Sequence, residues 1–356
     1  MTLAQLTQIR TGRCMAAAVA TAALIALLLA AAPRPAPAQE VNLRMHTHVP
    51  PVASSFKNLT WWIEQVAKES AGKVKIQLFG SNQLGGKAED VYGQAADGVV
   101  DIGWTLPGYR AGRFPRASVF ELPFMGDKPS IVAPAVWEFY GKWLTQEFGD
   151  THPLVLHVAG NMVLHMKAKE VRSVDDIKNM KIRTPSREVS DAIKLMGGVP
   201  VPIPGLGMTE AMMRGVIDGA LAPWAIALAI RQIDVATSHT EIAFNQPMLA
   251  MIMNKDSYAK LPADAKAAID KTTGMPLAVE FGKRWQADDE PGLAKAKSLN
   301  HPVIALNAAE TQIWAKTAEP VIENWIKEMT EKGQPGKALV DDARAMVAKY
   351  RGMATH

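Results

Sequence analysis

KIRTPSREVSDAIKLMGGVPVPIPGLGMTEAMMRGVIDGALAPW, residues 181–224, decides the fold of this chain because strand, turn and helix signals follow one another in it. The opening KIR closes a short strand, and Pro185 keeps the residue before it out of a helical conformation. A helix is predicted over residues 186–196, and Gly197 ends it. Arg183 is therefore expected at the carboxyl end of a strand, where α/β proteins bind their ligands.

Strands and helices alternate on both sides of this stretch, which is typical of parallel sheets covered by helices. The predicted strands are 41–47, 74–78, 99–104, 162–166, 180–183, 199–203 and 248–253. Helices are predicted from 55 to the glycine at 72, over 87–96, from 173, over 186–196, from 224 to about 233, from 305 as one amphipathic helix, and over 337–350. The strand at 248–253 returns to the first group of elements, so we expect two discontinuous domains.

The N-terminus has the pattern of a secretory signal. Arg10 and Arg13 precede an apolar run over residues 15–32, and small residues follow at 36–38. This predicts a cleaved signal peptide over residues 1–38 and a periplasmic protein, although a run of this length could also span a bilayer as an uncleaved anchor. Cys14 is the only cysteine, so the mature chain has no thiol for disulfides, catalysis or metal binding.

The charge of the chain gives no reason to expect nucleic acid as a partner. The full sequence has 39 Lys plus Arg against 35 Asp plus Glu, but three of the arginines lie in the predicted signal, so the mature chain is nearly neutral. The roughly 320 mature residues exceed what one core usually holds, which favours two domains.

Motifs throughout residues 41–335 closely resemble the solute-binding proteins of tripartite ATP-independent periplasmic (TRAP) transporters, the DctP family. They are KIR at 181–183, GVPVP at 198–202, RGVIDG at 214–219, VKI at 74–76, NQLGG at 82–86, ELPF at 121–124, IMNK at 252–255 and LPA at 261–263. The resemblance implies an α/β, two-domain, periplasmic-binding-protein-like fold (type II-like) with hinge strands, a long connecting helix and a ligand cleft between the domains. It places domain I at 41–158 plus 247–300 and domain II at 159–246 plus 301–335, with a C-terminal helix and tail over 336–356.

The resemblance also implies that the protein captures a small organic acid and delivers it to the membrane permease subunits of a TRAP transporter. We expect a monomer without cofactor, metal or nucleic acid. No paired nucleophile and base is identifiable, which argues against an enzyme. His46 and His48 lack a third and fourth metal ligand, and their strand end is expected to line the cleft. A ligand sensor that docks on a membrane receptor would have the same fold, and a periplasmic enzyme is the alternative of a different class.

Arg183 matches the family arginine that holds a carboxylate, and a guanidinium suits that role because its planar fork binds both carboxylate oxygens. Two other positions depart from the family pattern. Met162 stands where sialic-acid and dicarboxylate binders often carry a second arginine, and Ala222 replaces the asparagine of the Asp-Gly-x-x-Asn-Pro motif. Asn161 would take the place of Met162 if the alignment slipped by one residue.

These departures remove two polar anchors, so we expect an apolar, aromatic or branched monocarboxylate, including 2-oxo and 2-hydroxy acids. A dicarboxylate or another polar organic acid is the alternative ligand within the family. The residues that could form the cleft walls are Trp104, Tyr109, Phe124, Met162 and Trp224.

Overall fold

The computed structural model describes residues 40–354, and within that part of the chain eleven strands form two sheets. The predicted signal peptide, its anchor alternative and Cys14 lie outside the described residues. The strands are β1 Val41–Thr47, β2 Val74–Phe79, β3 Ile102–Thr105, β4 Thr151–Val158, β5 Val163–Met166, β6 Lys181–Thr184, β7 Val199–Pro202, β8 Gly219–Ala222, β9 Ser238–Glu241, β10 Met248–Asn254 and β11 Val303–Ala305.

Each sheet forms the centre of one lobe. The sheet of the first lobe has the order β2-β1-β3-β10-β4, and that of the second lobe has the order β11-β9-β5-β8-β6-β7. All seven residues of β10 are buried because this strand lies between β3 and β4, with helices packed on the sheet. The predicted return of the chain to the first group of strands is confirmed.

Both sheets are mixed, whereas the alternation of strands and helices predicted parallel ones. β10 runs antiparallel to β3 and β4, and β5 runs antiparallel to β8 and β9. Each of these strands follows a direct crossing between the sheets rather than a helical crossover, so its direction is not constrained to match its neighbours.

The helices cover the sheets and connect them. They are α1 Ser54–Glu69, α2 Val91–Ala96, α3 Pro129–Phe139, α4 Arg187–Leu195, α5 Met208–Met213, α6 Trp224–Ala229, α7 Lys255–Ala259, α8 Ala263–Lys271, α9 Gly274–Asp288, α10 Glu290–Ser298, α11 Ala308–Glu331 and α12 Gly336–Ala354. No helix in residues 40–354 is long and apolar enough to cross a membrane.

Several predicted helices differ in the structure. The helix expected from residue 173 is a 3-10 turn at Val174–Ile177, and the helix expected over 87–96 is α-helical only over Val91–Ala96. The long helix expected after Trp224 stops at Ala229, because Arg231 adopts a left-handed conformation with φ 59° and a short 3-10 turn follows. The helix expected from residue 305 begins only at Ala308, since β11 pairs with β9 and the Asn307 side chain caps the helix by accepting the Glu310 N–H at 3.0 Å.

Two chain crossings between the lobes lie side by side. The Ala159 N–H donates to the Pro247 carbonyl at 2.9 Å, and the Met162 N–H donates to the Asn245 carbonyl at 2.9 Å. Helix α11 contacts both lobes, because Trp325 donates its indole N–H to Ser118 Oγ at 2.8 Å and Glu328 forms an ion pair with Arg187. The expected two-lobed α/β fold with crossing strands and a long connecting helix is confirmed.

Candidate functional site

Arg183 lies near the carboxyl end of β6, between Val201 of β7 and Ala220 of β8. Its side chain is only 3% exposed. The guanidinium is fixed within the second lobe, because Nε donates to the Ile203 carbonyl at 2.7 Å and Nη1 donates to the Leu221 carbonyl at 2.8 Å. A guanidinium carries five N–H donors, so its Nη1 and Nη2 end retains donors for a further acceptor.

The positive charge of Arg183 has no carboxylate partner in residues 40–354, since none of the ion pairs there involves it. Burial lowers the pKa of Arg183, while Tyr109 and Glu121 act in the opposite direction. A guanidinium nonetheless stays charged in a protein. A buried charge without a counter-ion is costly, so this site is arranged to receive an anion.

The guanidinium borders an interlobe cavity with about 610 Å³ of empty space, part of it open to solvent. The first lobe contributes His48, Trp104 and Tyr109, and the second lobe contributes Arg183 and Ala222. Further apolar wall residues are Val49, Leu106, Ala159, Met162, Pro185, Leu206, Pro223, Ile226, Ile230, Leu249 and Trp285.

The polar groups of the first-lobe wall are already directed towards protein atoms, with one exception. Trp104 donates its indole N–H to His157 Nε2 at 3.2 Å, so it presents an apolar face to the cavity. The Tyr109 hydroxyl accepts the Gly205 N–H of the second lobe at 3.4 Å, which joins the lobes across the cavity. The exception is His48, whose Nδ1 is buried without a hydrogen-bond partner.

The His48 ring is held by aromatic neighbours. It stacks on Trp104 with ring centroids 6.1 Å apart and an interplanar angle of 14°, and it meets Tyr109 edge-on at 5.4 Å. Burial lowers the pKa of His48 to about 4, and the nearby charges of His46 and Arg183 act in the same direction. The ring is therefore neutral at neutral pH.

Five of the residues singled out from the sequence border this cavity: His48, Trp104, Met162, Arg183 and Ala222. Tyr109, proposed only as a wall, borders it as well. Met162 lines this cavity, whereas Asn161 lines a different crevice.

The other three residues singled out from the sequence, Trp224, Asn161 and Phe124, do not line this cavity. Trp224 donates its indole N–H to Glu241 at 3.0 Å and packs against histidine rings in the second lobe. Asn161 donates to the Asp127 carbonyl at 2.6 Å and accepts from Gln246. Phe124, which adopts a left-handed φ of 59°, packs against Phe244.

Several wall residues were not recognised from the sequence. Leu206 follows a Pro-Gly turn, and its side chain is 42% exposed, which is unusual for a leucine. Trp285 lies in α9, more than 170 residues along the chain from the first-lobe wall residues His48, Trp104 and Tyr109. Nothing in the local sequence distinguishes Trp285 from a core tryptophan.

A second crevice, with about 580 Å³ of empty space, lies beside the site and is charged rather than apolar. Arg187 and Glu328 line it and neutralise each other. Glu121 also lines it, and burial raises the pKa of its carboxyl to about 8, against the opposing effects of a Met248 N–H bond and the Arg183 charge. This crevice offers no unpaired buried cation comparable with Arg183.

No group of three or more His, Cys, Asp or Glu side chains in the described part of the chain is placed to hold a metal ion. The His46 ring hydrogen-bonds through Nδ1 to Gln94 at 2.6 Å.

Comparison with known proteins gives a consistent result. The model of the family described as bacterial extracellular solute-binding protein, family 7, matches residues 45–328. A TRAP solute-binding protein structure from Rhodoferax ferrireducens T118, in complex with copurified benzoate, is 36% identical, with a TM-score of 0.87 and coverage of 88% of this chain and 99% of that one.

Two further similarities extend this comparison. A marine metagenome TRAP solute-binding protein specific for aromatic acid ligands, in complex with 3-hydroxybenzoate, is 30% identical, with a TM-score of 0.85 and coverage of 88% of this chain and 99% of that one. A relative from Comamonas testosteroni named outer membrane transporter protein TsaT is 24% identical over 340 residues, which cover 93% of this chain and 98% of the relative.

Proposed function

The chain belongs to the bacterial extracellular solute-binding protein family 7 as a TRAP solute-binding protein, and from this premise we propose that its ligand is a small aromatic monocarboxylate. One observation carries the proposal: the buried guanidinium of Arg183 has no carboxylate partner in the described residues and borders a cavity whose other walls are mainly apolar. The proteins of this family are solute-binding receptors rather than enzymes.

The single cation supports a monocarboxylate. Arg183 is the one Lys or Arg among the residues that line the cavity. A second carboxylate on the ligand would lose its water without gaining a cationic partner. That loss is worth several kcal/mol, a large part of the roughly 8 kcal/mol that a micromolar complex provides.

The walls support an aromatic body. Trp104, the stacked His48 and the edge-on Tyr109 offer flat surfaces on one side, and Leu206 and Ile226 offer aliphatic contacts on the other. Apolar surface removed from water contributes about 25 cal/mol per Å². The Rhodoferax protein with benzoate and the metagenome protein with 3-hydroxybenzoate are relatives with such ligands. Aromatic 2-oxo and 2-hydroxy acids belong to the proposed class, and branched aliphatic monocarboxylates are the apolar alternative to it.

We propose that the protein works in the periplasm after cleavage of the signal peptide, as a monomer, and delivers the acid to membrane permease subunits. Domain I would comprise 41–158 plus 247–300, and domain II would comprise 159–246 plus 301–335. The paired crossings at residues 159–162 and 242–247 would act as the hinge, since both lobes contribute to the cavity and only a closed form lets both contact the ligand.

A thermal-shift screen of ligand-free protein tests the ligand class. A ligand present at 100 times its Kd stabilises the folded state by about 2.7 kcal/mol, which amounts to a rise of several degrees in Tm. Benzoate and related acids should raise Tm in this way. Benzamide, which lacks the charge, and phthalate, which adds a second carboxylate, are the matched controls and should give much smaller shifts.

Succinate, malate and sialic acid complete the screen because they represent the polar ligands of the same family. If any of these acids, or phthalate, gives a larger shift than every aromatic monocarboxylate, the proposed ligand class is wrong and a polar acid is the ligand.

A further inference from the structure

His48 is a polar side chain in an apolar wall, and its environment leaves one of its nitrogen atoms without a partner. The residue directly follows β1 and is 4% exposed. Its Nδ1 is buried and makes no hydrogen bond. Buried polar atoms in native proteins nearly always have a partner, so each exception calls for an explanation.

The neighbours of the ring cannot provide that partner. The Trp104 indole N–H is already donated to His157, and the Tyr109 hydroxyl lies at the Gly205 N–H. The two aromatic rings instead fix the orientation of the imidazole, by stacking on one side and by an edge contact on the other. The orientation of the His48 ring is thus fixed, and the residue lines the cavity.

The imidazole of His48 is not protonated at neutral pH, because burial lowers its pKa to about 4. The neutral imidazole has one nitrogen that donates and one that accepts. Whichever tautomer is present, Nδ1 has no partner among the described residues. A hydroxyl group could pair with Nδ1 in either case, since it can both donate and accept a hydrogen bond.

Resting on the proposed function, we propose that His48 recognises a hydroxyl group of the bound acid, so that hydroxylated aromatic monocarboxylates are preferred over their unsubstituted parents. The carboxylate occupies the free end of the Arg183 guanidinium in the second lobe, and the hydroxyl lies against His48 in the first lobe. The two polar anchors therefore come from opposite lobes, and a ligand that engages both favours the closed form.

Paired titrations test this proposal. Affinities of the wild-type protein are measured by calorimetry for benzoate against 2-, 3- and 4-hydroxybenzoate, and for phenylacetate against mandelate. We expect at least one hydroxylated acid to bind about tenfold or more tightly than its parent, because a site built for a hydroxyl leaves its own group unpaired when the hydroxyl is missing.

The same titrations are repeated with His48→Phe, a variant that lacks both ring nitrogens and keeps a flat ring. The hydroxyl preference, which is the ratio of the affinities for a hydroxylated acid and its parent, should fall to threefold or less. His48→Asn places an amide atom at the position of Nδ1 and should recover part of the preference. His152→Phe is the matched control, because His152 stacks on Tyr258 away from the cavity, and it should leave every affinity unchanged.

Two outcomes would overturn the role of His48. The wild-type protein could bind no hydroxylated acid more than threefold better than its parent, or the preference could survive in His48→Phe because that variant loses parent and hydroxylated acids equally. The last result would assign His48 to the carboxylate or to wall packing. If no aromatic monocarboxylate binds the wild-type protein, the proposed function itself fails, and that result is distinct from the others.

Discussion

Replacing Arg183 with methionine removes the guanidinium and keeps a long side chain in the cavity wall. No other Lys or Arg lines the cavity, so the ligand carboxylate would be buried without a cation. Removing one partner of a buried charge pair typically costs about 2–5 kcal/mol. Each 1.4 kcal/mol is a factor of ten in affinity, so Arg183→Met should weaken benzoate binding by about 30- to 3,000-fold.

The ligand-free protein should also lose stability, by less than the full cost of the two hydrogen bonds that Arg183 makes. Arg183→Met leaves the carbonyls of Ile203 and Leu221 without their donors, at a cost of about 1–3 kcal/mol each. It also removes a buried charge that has no counter-ion in the described residues, which offsets part of that loss. Arg183→Lys should lie between the wild type and Arg183→Met in affinity, because one ammonium cannot hold both carbonyls and bind a carboxylate as a fork.

Titration calorimetry on ligand-stripped proteins measures these effects. Arg187→Met is the matched control, because Arg187 pairs with Glu328 outside the cavity and its loss should change the affinity for benzoate by less than threefold. An affinity of Arg183→Met within threefold of wild type would refute the role of Arg183 as the anion anchor.

Three further predictions follow from the same contacts. Met162→Arg should lower benzoate affinity at least tenfold and raise succinate affinity, because it adds a cation to the apolar wall; calorimetry showing unchanged selectivity would contradict this. Burial raises the folded-state pKa of Glu121 to about 8, so above the ordinary pKa of a glutamate the wild-type folded state is destabilised relative to the unfolded chain. Glu121→Gln removes this penalty, and its stability relative to wild type should therefore rise from pH 5 to pH 9, by up to about 5 kcal/mol. Urea unfolding at several pH values measures the difference, and a flat difference would remove Glu121 as its source. Small-angle scattering should show a smaller radius of gyration with saturating benzoate, and an equal radius would argue against hinge closure.

The position of Arg183 at a strand end could be predicted from the sequence because its signals are local. A strand ending, a proline and a helix start within a few residues put Arg183 at a strand end, and the structure has β6 at Lys181–Thr184 followed by α4. Met162 and Ala222 were identified from their position relative to family motifs, and both border the cavity.

The walls could not be predicted in the same way because they depend on tertiary packing. Trp104 and Trp224 look alike in sequence, since each stands at or just after the end of a strand. The Trp224 ring turns into the second lobe towards His165 and His239, while the Trp104 ring borders the cavity. Trp285 reaches the site from a distant helix. The antiparallel strands were missed for a related reason, as direct crossings between the lobes leave no distinctive pattern.

A crystal structure of the protein with a bound aromatic monocarboxylate tests the central claim most directly. We predict both carboxylate oxygens at about 2.7–2.9 Å from Nη1 and Nη2 of Arg183, with the ring of the acid against Trp104 and the lobes closed around it. An acid bound in the charged crevice near Glu121, or with its carboxylate directed away from Arg183, would contradict the claim.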